Sequence, residues 1–113
     1  MKYKLTNIPY HSNLFQYDKG EYRLSGMPGN EGDVVISHGA LVYEEHRGQG
    51  EGSKLHKVRL RKIKQLGYSY TICTVNSDNI PQIKILENNS WIRLSKFISK
   101  CSNHKIYLYG KKI

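Results

Sequence analysis

A glycine-rich turn between an apolar run and an amphipathic segment restricts the possible folds of this chain more than any other feature. The turn reads Arg47-Gly48-Gln49-Gly50-Glu51-Gly52-Ser53. The residues before it, Val34 to Val42, are apolar and β-branched, which predicts a buried strand. Ser53 to Leu66 predicts a helix that Gly67 ends, and Tyr68 to Val75 predicts a second strand. Together these segments predict a βαβ-like crossover.

The turn has the composition of an anion-binding site. Its alternating glycines remove the Cβ atoms that would keep a ligand away from the backbone. A helix N-terminus adds unpaired N–H groups and the positive end of the helix dipole, and Arg47 adds a formal charge. Neither the P-loop motif nor the Gly-x-Gly-x-x-Gly dinucleotide fingerprint is present. The alternative is that the glycines only allow tight packing.

The remaining segments predict a mixed α/β domain. Gly39, in the middle of the strand over Val34 to Val42, predicts either a β-bulge or a place where another group approaches the backbone closely. Asn76-Ser77-Asp78-Asn79 has helix N-cap chemistry and precedes a predicted helix over Ile80 to Asn88. Two closing strands are predicted over Trp91 to Ile98 and Lys105 to Tyr109.

The N-terminal part of the chain and the two faces of the long helix give weaker predictions. Residues 1–32 are weakly patterned, with short strands expected over Lys2 to Asn7 and Glu21 to Leu24. The helix should bury one apolar face and expose one basic stripe, which is either a solvated surface or a contact for an acidic partner. The expected apolar face is Leu55, Val58, Ile63 and Leu66, and the basic stripe is Lys54, Lys57, Arg61 and Lys64.

Composition narrows the function classes. The 113 residues fit one domain, 1–113, with 38% hydrophobic and 24% charged residues. A net charge of +9 either favours an anionic partner, such as a phosphorylated cofactor, nucleic acid or an acidic protein, or serves solubility alone. No stretch is apolar enough to be a membrane span or a signal peptide, so we expect a cytoplasmic protein without membrane contact. Two cysteines and five scattered histidines predict no metal site, and Cys73 is expected in the core.

These motifs resemble the GNAT superfamily of acyl-CoA-dependent N-acetyltransferases. The first family block, Arg/Gln-x-x-Gly-x-Gly/Ala, is matched by Arg47 to Gly52, after a strand that ends in Val42. The second block, Asn-x-x-Ala-x-x-x-Tyr-x-Lys-x-Gly-Phe, is matched loosely by Asn79 to Trp91. The resemblance covers Val34 to Trp91, about half of the chain. It implies a GNAT-like fold, with a central, mostly antiparallel sheet, a splayed parallel strand pair and two main helices.

The same resemblance implies acetyl-CoA as the acyl donor, attacked directly by a primary amine. The turn backbone would bind the pyrophosphate, and the edge of the first strand would pair with the pantetheine arm. A backbone N–H near Val42 would hold the oxyanion. Asn79 would hydrogen-bond the arm, although by its position it could equally be only an N-cap. The implied cofactor-binding residues are Ala40, Leu41, Val42, Arg47, Gly48, Gln49, Gly50, Glu51, Gly52, Ser53 and Asn79.

The residues that would handle protons depart from the family pattern. Leu86 stands where the family usually has a tyrosine acid, and Thr74 where some members have a glutamate base. Other groups could serve, the thiolate could leave unprotonated, or the protein could bind without catalysing a reaction. The alternative catalytic candidates are Glu44, Glu45, His46, His38, Tyr107 and Tyr109.

Two functions from different classes therefore remain. The first is an N-acetyltransferase whose acceptor is a lysine or N-terminus of a protein or another macromolecule, because the weakly patterned first 32 residues suggest an open acceptor side. The second is an inactive GNAT-like module that binds nucleic acid or an acidic protein. A Cys–His enzyme acting through Cys73 is disfavoured, since no exposed thiolate is expected there. Either a monomer or a homodimer is expected, and the Lys/Tyr/Asn/Ile-rich composition suggests a phage or mobile element as the source.

Overall fold

The fold is one six-stranded mixed sheet with two helices. The computed structural model describes residues 12–30 and 32–113. Within them the strands are ordered β1-β2-β3-β4-β6-β5 across the sheet. The elements are β1 Ser12–Tyr17, β2 Gly20–Gly26, β3 Val34–Val42, α1 Glu51–Gln65, β4 Tyr70–Asn76, α2 Ile80–Asn88, β5 Ile92–Ile98 and β6 Lys105–Lys112, with a short 3-10 helix at Glu44–His46.

The parallel pair β3–β4 lies in the middle of an otherwise antiparallel sheet. The two strands pair only over Val34 to Ile36 and Tyr70 to Ile72. Beyond those residues they diverge. The predicted mixed architecture and the splayed parallel pair are therefore confirmed.

A β-bulge lies in β3 where that strand leaves β4. On the other edge of β3, Glu21 of β2 is opposite Leu41, whereas Arg23 is opposite His38. One residue of β2 thus faces two residues of β3. One of the two is Gly39, whose φ of 61° is a conformation that side chains with a Cβ rarely adopt. The bulge predicted at Gly39 is confirmed.

Both helices pack on the same face of the sheet. Val35 is in register with Thr71, and the buried residues of β4 alternate from Thr71 through Cys73 to Val75. Val35 packs with Leu55 and Ile63 of α1, and Cys73 and Val75 pack with Ile83 and Leu86 of α2. Leu60 contacts both clusters, so α1 joins them into one layer.

The helix bounds differ from the prediction for local reasons. Helix α1 begins at Glu51, two residues early, because Gly50 takes a left-handed conformation as its N-cap. Leu66 was expected on the apolar face, but it is the C-cap and 50% exposed, so that assignment was wrong. The basic stripe is exposed as predicted. Helix α2 has the predicted bounds.

The strand bounds show the same pattern of small shifts. Trp91 precedes β5, because Ser90 turns with a φ of 67° and the Trp91 N–H donates back to the Leu86 carbonyl. Strand β4 begins only at Tyr70. Strand β1 was not predicted, since its side chains are mostly polar or exposed. The strand expected over Lys2 to Asn7 lies outside the described residues.

Within residues 12–30 and 32–113, neither helix combines the length and apolarity that crossing a bilayer requires.

Candidate active site between the diverging strands

A cleft opens where β3 and β4 separate. Its first part, about 270 Å³, lies between β3 residues from Ser37 to Ala40 and β4 residues from Cys73 to Asn76. A smaller part of about 80 Å³ continues towards Gly52 at the start of α1. The two parts share three lining residues, Ala40, Arg59 and Gln82. The cleft therefore runs from the divergence of the strands to the first turn of α1.

The glycine turn presents bare backbone next to Gly52, which lines the smaller part of this cleft. Gly48 and Gly50 have φ values of 77° and 76°, and no atom lies within 4 Å of the position that a Cβ would occupy at either residue. No side chain caps the N-terminus of α1. Gly52 differs, since its Cβ would lie 3.2 Å from Ile85 Cδ1. Tight packing, the alternative explanation for the glycines, thus applies to Gly52 but not to Gly48 or Gly50.

Two charged side chains fix the turn to the rest of the molecule. Arg47 Nε donates to the Val42 carbonyl at 2.9 Å, which holds the turn against the end of β3. The buried Glu51 carboxylate accepts hydrogen bonds from Lys54 at 3.3 Å and Lys19 at 3.4 Å. Burial alone would raise the pKa of Glu51, but the hydrogen bonds and charges of Lys54 and Lys19 outweigh it and lower the pKa. Glu51 therefore ties α1 to the β1–β2 hairpin.

The other residues expected to bind a cofactor have distinct positions. Ala40, Val42 and Asn79 line the cleft, whereas Leu41 is exposed. Gln49 and Ser53 are exposed at the turn. Asn79 Oδ1 accepts the Gln82 N–H at 3.4 Å, so Asn79 is the N-cap of α2 and also lines the cleft. The N-cap role considered for Asn79 is therefore confirmed, and its hydrogen bond to the arm stays a prediction.

Of the six proposed proton-transfer residues, only His38 lines the cleft. Its Nε2 lies 2.7 Å from Ser25 Oγ, and burial, with a smaller effect from Arg23, lowers the pKa of His38. Glu44, Glu45 and His46 form the 3-10 helix before the turn and do not line the cleft.

The two tyrosine candidates lie away from the cleft. Tyr109 is fully buried in the core, where its hydroxyl donates to Glu87 at 2.7 Å and accepts hydrogen bonds from Arg93. Tyr107 lies under the Arg93 guanidinium, whose Cζ is 3.8 Å from the ring centroid. Both side chains therefore have structural partners.

A buried polar cluster that the sequence analysis missed forms the floor of the cleft. Arg59 and His56 of α1 are both buried, and Arg59 Nη2 lies 3.0 Å from His56 Nδ1. Trp91 Nε1 donates to His56 Nε2 at 3.3 Å. Burial, and then the charges of Arg59 and Lys111, lower the pKa of His56 to about 4. His56 is therefore neutral at physiological pH.

The position of Arg59 could have been found from helical periodicity. Leu55, Arg59 and Ile63 are spaced four residues apart, so all three lie on the buried face. Arg59 was not among the residues predicted for either face of the helix.

Cys73 and the acidic and histidine residues do not form another kind of site. Burial raises the pKa of the Cys73 thiol to about 11, which does not favour a nucleophilic thiolate. Among the residues that the structure describes, no three or more His, Cys, Asp or Glu side chains come together as a metal site.

Solved structures share this arrangement of strands and helices. No protein-family model matches the sequence, and no curated protein does. Among the similar structures is a chain of the NatC complex bound to Gag peptide and CoA, with a TM-score of 0.72 and 14% identity over 83% of this chain and 60% of that one. A GNAT family acetyltransferase from Elizabethkingia anophelis with acetyl-CoA bound has a TM-score of 0.67 and 16% identity, over 88% of this chain and 74% of that one. This chain has the GNAT fold.

A third similar structure comes from an enzyme with a protein substrate. The ribosomal-protein-S18-alanine N-acetyltransferase from Escherichia coli has a TM-score of 0.70 and 12% identity, over 88% of this chain and 65% of that one. The chain thus spans less than two thirds of the NatC and Escherichia coli chains. At these identities the likeness establishes the fold, with the crossover from β3 through α1 to β4 as predicted.

Proposed function

We propose that this protein is an acyltransferase that binds acetyl-CoA in the β3–β4 cleft and transfers the acetyl group to a primary amine. One observation carries the proposal. The uncapped N-terminus of α1, with bare backbone at Gly48 and Gly50, adjoins Gly52, which lines a cleft between diverging strands. Such a helix terminus favours phosphate groups. The diverged strand edge suits the amide groups of an extended pantetheine arm.

The residues have separate parts in the proposed binding mode. The backbone from Gly48 to Ser53 holds the diphosphate, and Arg47 adds charge beside it. The edge of β3 over Ala40 to Val42 pairs with the arm as an added strand would. Asn79, whose Oδ1 is engaged in capping α2, turns its amide Nδ2 to the arm.

In the proposed reaction the amine nitrogen attacks the thioester carbonyl, the C–S bond breaks, and the electron pair leaves with the sulfur. A backbone N–H near Val42 holds the oxyanion. Leu86 is fully buried in the core and has no proton to donate. His38 is the titratable candidate on the cleft wall, and its lowered pKa favours the neutral form that a base requires.

We further propose a macromolecular acceptor, namely a lysine or N-terminus of a protein. Two of the solved structures with this fold are named for protein or peptide partners, the NatC complex with Gag peptide and the S18-alanine enzyme. The net charge of +9 suits a partner with an acidic or phosphate-rich surface.

Calorimetric titration with acetyl-CoA tests the proposal. We expect saturable binding at micromolar ligand, followed by transfer to a protein or polyamine panel, read by mass spectrometry. No heat of binding at high micromolar acetyl-CoA would refute it. Binding without transfer to any acceptor would instead support the second function, a non-catalytic module with the same cleft.

A further inference from the structure

Arg59 is a buried cation without an anion. Its side chain is 3% exposed, and no carboxylate within residues 12–30 and 32–113 forms an ion pair with it. Its Nε has no hydrogen-bond partner. Buried charges are expected to be paired, because desolvating an isolated charge costs several kcal/mol. The cluster around Arg59 therefore lacks a negative group.

The neighbours of Arg59 do not supply that group. A neutral imidazole accepts at only one ring nitrogen, so His56 cannot accept from both Trp91 and Arg59 in the same tautomer. The Trp91 ring lies 5.9 Å from Arg59 Cζ and offers only the weak attraction of its π face. The Cys73 thiol keeps its proton, because burial raises its pKa to about 11.

Arg59 lines both parts of the cleft. The larger part extends to Ser37 and Cys73, just beyond the last paired residues of β3 and β4, and we call this the inner end of the cleft. The diphosphate site lies at the other end, at the turn before Glu51. Eight residues of helix separate Glu51 from Arg59, or about 12 Å at about 1.5 Å per residue. A diphosphate on the turn thus lies about 12 Å from the level of Arg59 along the helix axis.

With its diphosphate on the turn, as in the proposed function, an acyl-CoA extends along the cleft and its thioester lies in the larger part, which Arg59 also lines. The thioester sulfur and carbonyl oxygen are neutral in the bound substrate. The oxygen becomes negative as the amine adds to the carbonyl carbon, and the sulfur becomes negative as the C–S bond then breaks. Arg59, which has no anionic partner in the resting protein, therefore gains a negative partner during the reaction. Its charge then stabilises the transition state more than it stabilises the bound substrate.

We propose that the Arg59 guanidinium stabilises the CoA thiolate that leaves when the thioester is cleaved. This inference rests on the proposed function. The amine nitrogen forms the new bond to the carbonyl carbon, the C–S electron pair stays on sulfur, and the ammonium proton passes to a base or to solvent. The sulfur needs no proton from the protein, which accounts for an apolar residue at Leu86.

Other titratable groups also surround this position. His56 and Cys73 are both neutral between pH 6 and about 9 by the pKa directions above, and burial also raises the pKa of Tyr22 of β2. From β6, the charge of Lys111 acts on His56. From the β3 side His38 faces the cleft with a lowered pKa. The α2 side contributes Gln82 and Asn79, which do not titrate. A thiol that titrates in this range is therefore that of the ligand.

The test compares the affinity of CoA with that of desulfo-CoA, by calorimetry from pH 6 to 9. The two ligands differ only at the sulfur. We expect the preference for CoA to rise with pH, because the pKa of the bound thiol falls by about 1–3 units from its free value of about 8.5. Each pKa unit by which the bound thiol is lowered should increase the preference for CoA over desulfo-CoA about tenfold at high pH.

Variants of two arginines on the same helix provide the matched comparison. R59M removes the buried charge and should abolish the pH-dependent preference for CoA, while R61M removes an exposed charge from α1 and should leave it intact. R59K keeps a charge and should retain part of the effect, which separates charge from packing. Circular dichroism of each variant checks the fold, and the comparison of CoA with desulfo-CoA on the unmodified protein can refute the proposal without the variants.

The outcomes separate the two proposals. Failure of both CoA and desulfo-CoA to bind would refute the proposed function itself. Equal affinities for the two ligands at every pH would overturn the role of Arg59 and leave the function standing. A preference for succinyl-CoA over acetyl-CoA that R59M removes would also overturn it, because the cation would then recognise a carboxylate on the acyl group.

Discussion

Two ionisable side chains of α1, His56 and Arg59, are buried where the family resemblance gave no reason to expect charge. The imidazole is neutral and the guanidinium is charged, so the cluster holds one positive charge beside the cleft. Burial of His56 makes the stability of the protein depend on pH. Its folded pKa of about 4 lies below the ordinary value of 6.5, so the unfolded chain takes up a proton first as the pH falls.

Stability should therefore decrease as the pH falls from 6.5 to about 4. The loss from His56 should approach about 3 kcal/mol, the free-energy equivalent of that pKa shift. Urea unfolding between pH 7 and 4.5 measures it. H56L has no titrating group at this site, so it should show a flatter profile over the same range. Glu51 contributes separately, since its lowered pKa matters only below its ordinary 4.5. Identical pH profiles for H56L and the unmodified protein would contradict this account.

At the scale of the elements, the connection from β3 to α1 determines the geometry of the site. Gly50 is the N-cap of α1 with a φ of 76° and a ψ of 12°, and no side chain replaces it as a hydrogen-bond acceptor. The left-handed conformation directs the chain from the end of β3 into the helix. Any residue with a Cβ would be strained there, even though the surrounding space is open.

G50A should therefore lower the free energy of unfolding by about 1–2 kcal/mol, the usual cost of a left-handed conformation with a Cβ. G32A is the matched control, because Gly32 has open space around it and no positive φ. We expect G32A to stay within about 0.5 kcal/mol of the unmodified protein. Urea unfolding at pH 7 measures both. Equal effects of the two substitutions would show that backbone strain at Gly50 is not the cause.

Sequence patterns predicted the elements whose signals are local. Strand β3, the Gly39 bulge and helix α2 with its Asn79 cap follow from β-branched content, one glycine and N-cap chemistry, and the structure has them. Signals that depend on tertiary contacts were missed. Strand β1 forms because it pairs with β2. Trp91 lies outside β5 because it hydrogen-bonds to the end of α2 and to His56.

The site shows the same division between local and tertiary signals. The glycine turn could be read from the chain. The placement of His38 in the cleft and of Tyr109 in the core could not, because that depends on which face of each strand meets the helices.

At the scale of the whole molecule, the cleft exists because two central parallel strands part while the rest of the sheet stays paired. Both helices pack on one face, and the cleft lies between that helix layer and the strand divergence. Ligand binding should therefore fill a space that is already open, without moving β3 relative to β4. The net charge of +9 should favour encounter with a polyanionic ligand such as CoA.

An amide-resolved NMR titration with acetyl-CoA tests this account most directly. Chemical-shift changes should concentrate in two segments that are separate in the sequence, Gly48 to Ser53 at the turn and Ser37 to Val42 along β3. Amides of β5, at the edge of the sheet, should not move and serve as the internal control. Saturable shifts concentrated in those two segments are the predicted result. Absent shifts, or shifts centred on β5, would contradict the assignment of the cleft as an acyl-CoA site.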